Sequence, residues 1–190
     1  VPDNIQHQDI PDEILLCFKF LDLPPAGDME SIESHRGKVL IREMAGLWFE
    51  EANPIIHTPK NEKPRVWING RELSVSFSHT RMAISAAMSL HLNVGCDIES
   101  VNRDVSDTLV KRIQHPDEDR SLYLTIPPVR IWTIKEAGLK MIGSGLRKPM
   151  NGVKIVQETR YLFSVEFHDG KRAKICSFQY KEHWISVCFQ

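Results

Sequence analysis

The feature that most narrows the fold is a repetition inside the chain. Ser76-Phe77-Ser78-His79-Thr80-Arg81-Met82-Ala83-Ile84-Ser85 aligns without gaps with Ser177-Phe178-Gln179-Tyr180-Lys181-Glu182-His183-Trp184-Ile185-Ser186, and Ser, Phe, Ile and Ser coincide. The turn glycines Gly70 and Gly170 precede these segments by nearly the same distance, and Ile41-Arg42-Glu43 is echoed by Ile134-Lys135-Glu136. Self-similarity at a fixed offset is the mark of a duplicated folding unit. Short hairpins also resemble one another by chance, because strand patterns are repetitive. A real duplication predicts an α+β fold: two similar subdomains, each a helix followed by a three-stranded antiparallel meander, related by a pseudo-twofold axis. The division falls at 1–95 and 96–190, with a ligand cleft and active site between the halves.

Local signals fill in the elements. Ile14-Leu15-Leu16-Cys17-Phe18 is an apolar run whose element type is open, and Pro24-Pro25-Ala26-Gly27 ends it. Leu40, Met44, Leu47 and Trp48 form one helical stripe. Val66-Trp67-Ile68, the turn pair Asn69-Gly70 and alternating Leu73, Val75 and Phe77 predict a hairpin, and 82–88 and 92–98 read as two more strands. Val105, Leu109 and Ile113 predict a helix capped by Asp104 or Ser106. Pro116 starts a short second helix, and a third covers 129–142 after Pro127-Pro128. Tyr161, Phe163, Val165 and Phe167 alternate, Asp169-Gly170 supplies a turn, and 172–179 and 183–189 are the last strands.

Composition enters as exclusion. With 24 Lys+Arg against 25 Asp+Glu, a formal charge of −1, no global basic field recruits nucleic acid or anionic lipid. A hydrophobic share of 42% rules out disorder over the whole length. Cys17, Cys96, Cys176 and Cys188 lack CxxC spacing and sit in apolar runs, which predicts buried free thiols in a reducing compartment and a cytoplasmic protein. The longest apolar stretch, 82–90, is well short of the ~18 residues of a membrane span, and no signal segment opens the chain. Val1 in place of Met points to a processed or trimmed start.

Few residues carry chemistry. Asp97 and Glu99 are two apart on a strand and share a face; two converging carboxylates suit Mg²⁺, or else face water at a strand edge. Trp132, Glu136 and Lys140 line one helical face. Glu136–Lys140 is either an ordinary surface pair or a third carboxylate for the metal beside a cation for phosphate oxygens. Ser78-His79 at a hairpin tip can hold a phosphate or be a turn, and Lys63-Pro64 before a strand offers a lysine on a fixed backbone or is a loop charge. No Gly-x-Ser-x-Gly elbow, P-loop or Gly-x-Gly-x-x-Gly fingerprint is present. Gly143-Ser144-Gly145 reads as a helix stop.

In this order, Lys63-Pro64, Ser78-His79, Val94-Gly95-Cys96-Asp97-Ile98-Glu99 and Trp132-Thr133-Ile134-Lys135-Glu136-Ala137-Gly138-Leu139-Lys140, with Gly143 and Gly145-Leu146 after it, resemble the 4′-phosphopantetheinyl transferases. The resemblance spans roughly residues 35–190 and is to the larger, pseudo-dimeric (surfactin-synthetase-activating) class, which looks like two fused copies of one fold. It implies transfer of the phosphopantetheine arm of coenzyme A to a serine of an apo acyl or peptidyl carrier protein, releasing adenosine 3′,5′-bisphosphate. By this resemblance Asp97, Glu99 and Glu136 hold Mg²⁺, Glu136 takes the serine proton directly or through water, and Lys140 stabilises phosphoryl charge. Ser78, His79 and Lys63 grip coenzyme A phosphates. The chain departs from the pattern at Glu33, where the family usually has an arginine that Arg36 can replace, at Ser144 for a lysine, and at Cys96 for an aliphatic residue.

Two other readings use the same residues: a Mg²⁺-dependent phosphoesterase on a nucleotide-like substrate, and a non-catalytic carrier- or coenzyme A-binding module. Lys111, Arg112, Arg120 and Tyr123 offer a basic and apolar patch to an acidic carrier, or are solvated helix charge. With the repeat fused in one chain, a monomer is the simpler expectation.

Overall fold

The computed structural model of the chain describes residues 1–22, 29–49, 53–59, 62–144 and 148–190. The Pro24-Pro25-Ala26-Gly27 break, the Glu33 side chain and Gly145-Leu146 lie outside the described residues. Among the described residues eleven strands form two antiparallel sheets. The first runs β1 (Asp3–Ile5), β2 (Ile14–Phe20), β6 (Ala83–Ser89), β5 (Arg71–His79), β4 (Arg65–Ile68), β3 (Ile55–His57). The second runs β7 (Val94–Ser100), β11 (His183–Phe189), β10 (Arg172–Tyr180), β9 (Leu162–Phe167), β8 (Val153–Gln157). Helix α1 (Met29–Trp48) follows β2; α2 (Asp107–Ile113), α3 (Leu122–Thr125) and α4 (Pro128–Met141) follow β7.

Apart from β1, the two sheets have one topology. A strand leads into helix, the chain then makes four strands in sequence, and the last of these pairs with the first: β2-β6-β5-β4-β3 matches β7-β11-β10-β9-β8. Each half thus holds a four-stranded meander closed by a preceding strand, not the three strands expected. The missed strands β3 and β8 are short sheet edges with little pattern to read. The position 95/96 falls inside β7, which pairs with β11 of the second sheet. The ungapped alignment also breaks at the tip, since β5 and β6 close at His79↔Ile84 whereas β10 and β11 close two residues tighter, at Tyr180↔His183.

Three apolar clusters hold the layers. Leu40, Ile41, Met44 and Ala45 of α1 pack on Leu15, Val75 and Ile84 of the first sheet. Ile131, Ile134 and Ala137 of α4 pack on Phe163, Val165 and Ile175 of the second. Between the sheets, Leu16, Phe18 and Ala87 meet Cys96, Ile98, Phe178 and Ile185. The order is therefore helix, sheet, sheet, helix. Residues 14–18 are buried on both faces, which is why their run shows no periodicity. Leu47, placed on the buried stripe by its spacing, is 46% exposed; Ile41 and Ala45 take the core side of α1 instead.

Smaller readings resolve similarly. Ser106, not Asp104, caps α2, accepting from the Leu109 amide at 3.3 Å. The short helix is α3, beginning at Leu122 and not at Pro116, because the Glu118 carboxylate accepts the His115 amide at 3.0 Å and turns the chain there. Pro128 opens α4 at a position where its missing N–H costs nothing. Gly143, with φ 70°, follows the end of α4, and the Ser144 amide bonds back to the Leu139 carbonyl at 3.1 Å. All four cysteines are free and buried. Among the described residues no helix is long and apolar enough to cross a membrane.

Candidate active site

β7 is the edge of the second sheet, and its position explains the site. Edge strands carry unpaired amides that must be covered. Ser74, Ser76 and Ser78 alternate on one face of β5, opposite Leu73, Val75 and Phe77. Ser74 Oγ accepts the Val94 amide at 3.0 Å and Ser76 Oγ the Cys96 amide at 2.9 Å. Ser78 continues the row but turns to a side chain, donating to Asp97 Oδ1 at 2.7 Å. The first half of the molecule thereby reaches the carboxylate strand of the second.

On the other side of β7 lies α4. A Cβ on Gly95 would stand 2.1 Å from the Ala137 carbonyl oxygen and 2.4 Å from the Met141 amide, so the helix can lie this close only over glycine. That approach brings Lys140 Nζ to 2.7 Å from Asp97 Oδ1 and 2.8 Å from Ser78 Oγ, with Glu136 Oε1 at 3.5 Å. Asp97 is 1% exposed, and its second oxygen, Oδ2, is buried without a hydrogen-bond partner. Glu99 pairs with Arg103, whose guanidinium lies 4.4 Å from the centre of the Trp132 ring. Burial, then the Asp97 charge, pushes the Glu136 carboxyl up from its ordinary value, against Lys140 and Arg103. Lys140 is held above the ordinary lysine value by Asp97 and Glu136, against the opposing effect of its burial.

The structure therefore brings together Ser78, Asp97, Glu136 and Lys140 directly, and Glu99 through Arg103 and Trp132. Among the described residues two cations, Lys140 and Arg103, are paired with the three carboxylates. The three acids do not close on one point: among the described residues, the group of three such side chains with ligand atoms mutually within 4.8 Å is elsewhere. The donor set still fits a hard divalent cation. Three carboxylates against two cations leave negative charge, and the orphaned Asp97 Oδ2 is a buried oxygen lacking a partner.

The other candidates lie apart. Lys63 Nζ donates to Ser74 Oγ at 2.8 Å and to the Val94 carbonyl at 2.6 Å, at the far end of the serine row. Burial lowers its pKa to about 8. It lines a cleft of about 620 Å³ with Pro64, Arg65, His91 and Gly143. His79 ends β5 and, one residue from Ser78, falls on the opposite face, the one that carries Phe77. Arg36 donates to the Asp22 carbonyl at 2.7 Å. Cys96 is buried between the sheets, where it does the packing of an aliphatic residue.

Sequence reasoning missed Arg103, the serine row and a buried pair. Lys135 Nζ is 2.7 Å from Glu118 Oε1, both side chains fully buried, and also donates to the carbonyls of Ile113 and Val153 at 2.7 Å. Glu118 in turn accepts the Ile155 amide at 2.8 Å and the Tyr123 hydroxyl at 2.5 Å. These bonds fasten α4 to β8 and to the 113–123 segment on the side away from Glu136. The alternating Ser74, Ser76, Ser78 was the readable signal; nothing local marked Glu118 as the partner of Lys135.

No curated protein matches the chain. A family model described as the 4′-phosphopantetheinyl transferase superfamily matches residues 93–188, from the residue before β7 to within β11, and so contains Asp97, Glu99, Glu136 and Lys140. With half of its length covered, and with those four side chains gathered between β7 and α4, the chain belongs to the 4′-phosphopantetheinyl transferase superfamily.

Proposed function

We propose that this protein transfers the 4′-phosphopantetheine arm of coenzyme A to a serine hydroxyl of an apo acyl or peptidyl carrier protein, with release of adenosine 3′,5′-bisphosphate. The observation that carries the reading is the arrangement at β7: Asp97 holds Lys140 and Ser78 on one oxygen, leaves the other unpartnered, and has Glu136 beside it. Asp97, Glu99 and Glu136 would hold Mg²⁺, which when bound supplies charge neutralisation on the pyrophosphate.

The chain's own residues account for the remaining steps. Glu136 accepts the proton of the carrier serine, directly or through water, and its raised pKa makes it a stronger base than an ordinary carboxylate. The serine oxygen forms a bond to phosphorus as the bond to the leaving bisphosphate breaks. Lys140 meets the charge on the phosphoryl oxygens, its ammonium aimed by Asp97 and Ser78. Arg36, Lys63 and His79 are the proposed contacts to coenzyme A. The larger, pseudo-dimeric class is part of this reading, supported by the strand order shared by the two sheets. Lys111, Arg112 and Arg120 are exposed and available to an acidic carrier, while the Tyr123 hydroxyl is taken by Glu118.

The test is incubation with coenzyme A, Mg²⁺ and several apo carriers, followed by mass measurement of each carrier. The expected result is a gain of one phosphopantetheine arm on at least one. No gain on any, with a known transferase succeeding in parallel, overturns the proposal. Free phosphopantetheine appearing without a carrier would mean a phosphoesterase.

A further inference from the structure

A second constellation lies on the opposite face of the second sheet. Across β10, β11 and β7, Ser177, Ser186 and Asp97 stand in one row. Cys176, next to Ser177, points the other way into the core between the sheets. There it meets the segment joining β1 to β2. His7 Nδ1 lies 3.4 Å from Cys176 Sγ and 3.8 Å from Asp9 Oδ2, and one ligand atom from each of the three residues falls within 4.8 Å of the others.

We propose that His7, Asp9 and Cys176 form a site for one transition-metal ion of the zinc type, fastening the β1–β2 connection to β10. The ligand types select the ion. A thiolate, an imidazole nitrogen and a carboxylate oxygen suit zinc with water in the fourth position, whereas Mg²⁺ takes oxygen donors. Bond lengths of about 2.3 Å to sulfur and about 2.05 Å to nitrogen place those two atoms about 3.6 Å apart in a tetrahedron, close to the spacing seen here. The corresponding nitrogen-to-oxygen separation is about 3.4 Å. Rotation of the Asp9 side chain, 22% exposed, closes the remaining gap.

The imidazole is already set for the role. Its ring stacks on Phe178 at 4.8 Å and meets Tyr161 edge-on at 5.1 Å, which fixes its plane. The Asp9 amide donates to Nδ1 at 3.2 Å, which leaves the ring proton on Nε2 and a lone pair on Nδ1. The ion takes that lone pair over from the amide. Cys176 supplies the charge: its thiol proton leaves to solvent as the sulfur–metal bond forms, one proton for one ion. Burial holds the free thiol up at about 12, so it is the metal that makes the thiolate. The His7 and Asp9 side chains are 15% and 22% exposed, so the site is reached from solvent on their side, while Cys176 is fully buried.

The full chain, stripped with a chelator and titrated with Co²⁺, should bind one ion per molecule with thiolate-to-cobalt charge-transfer absorption. Zn²⁺ should displace it stoichiometrically and Mg²⁺ should not, and Zn²⁺ at a hundredfold excess over Kd should raise Tm by about 5 °C or more. Cys176→Ser should abolish the absorption, His7→Gln should weaken binding at least tenfold, and Cys188→Ser should leave both intact. No stoichiometric absorption, or absorption unchanged in Cys176→Ser, overturns the proposal and means a thiol–imidazole hydrogen bond without an ion. If Cys176→Ser does not fold, His7→Gln and Asp9→Asn decide, and unchanged Co²⁺ affinity in both overturns it.

Discussion

Asp97 serves two purposes with its two oxygens. Oδ1 is saturated by Ser78 and Lys140, so it orients them; Oδ2 is left for something else. Removing Lys140 strands a buried carboxylate, and Lys140→Ala should cost about 2–3 kcal/mol in denaturant unfolding as well as activity. Glu136 behaves in the opposite sense. Its folded-state pKa lies above the unfolded value, so the folded chain binds the extra proton, and ionising Glu136 lowers stability as pH rises from about 4.5 through the folded value. Glu136→Gln removes that cost. At pH 7–8 it should melt at or above the wild-type temperature while phosphopantetheine transfer falls about 10²–10⁴-fold. A variant that melts several degrees lower would show that the charge is structural. Both side chains were legible from sequence by helical spacing, but their unequal roles follow from a burial that spacing does not report.

The elements hold the site through close approaches that single side chains permit. At Gly95 a methyl would meet the backbone of α4, which cannot yield, so Gly95→Ala should cost about 3 kcal/mol or more and lift Glu136 and Lys140 from Asp97. At Gly37 the atoms nearest the methyl belong to the Phe77 ring, a side chain able to turn, and Gly37→Ala should cost about 1 kcal/mol. Chemical denaturation of the two variants, compared at one pH, checks the order. Lys135 anchors the far side of α4; Lys135→Met takes away the cation that faces the buried Glu118 carboxylate, at a cost of about 3–5 kcal/mol by the same measurement. The helix itself was readable from the Pro127-Pro128 break and the spacing of Trp132, Glu136 and Lys140. Its fastening to Glu118 was not, because that partner comes from another turn of chain brought near only by packing.

At the scale of the molecule, the two halves share one core between the sheets and one row of serines on β5. They should therefore unfold together. Trp48 and Trp67 report the first half, Trp132 and Trp184 the second; with either pair replaced by Phe, fluorescence melting should give one coincident midpoint. Separate midpoints would mean that the shared core does not couple them. The sequence by itself determined the strand-and-helix alternation, the likeness of the two hairpin segments and the identity of the acidic and basic side chains, because periodicity and spacing along one element are local properties. Only the tertiary structure decided that Ser78 meets Asp97, that Arg103 occupies Glu99, and that His7 finds Cys176 across the chain. Those meetings depend on which face of one sheet is pressed against which edge of another, and that is set by burying both sheets at once.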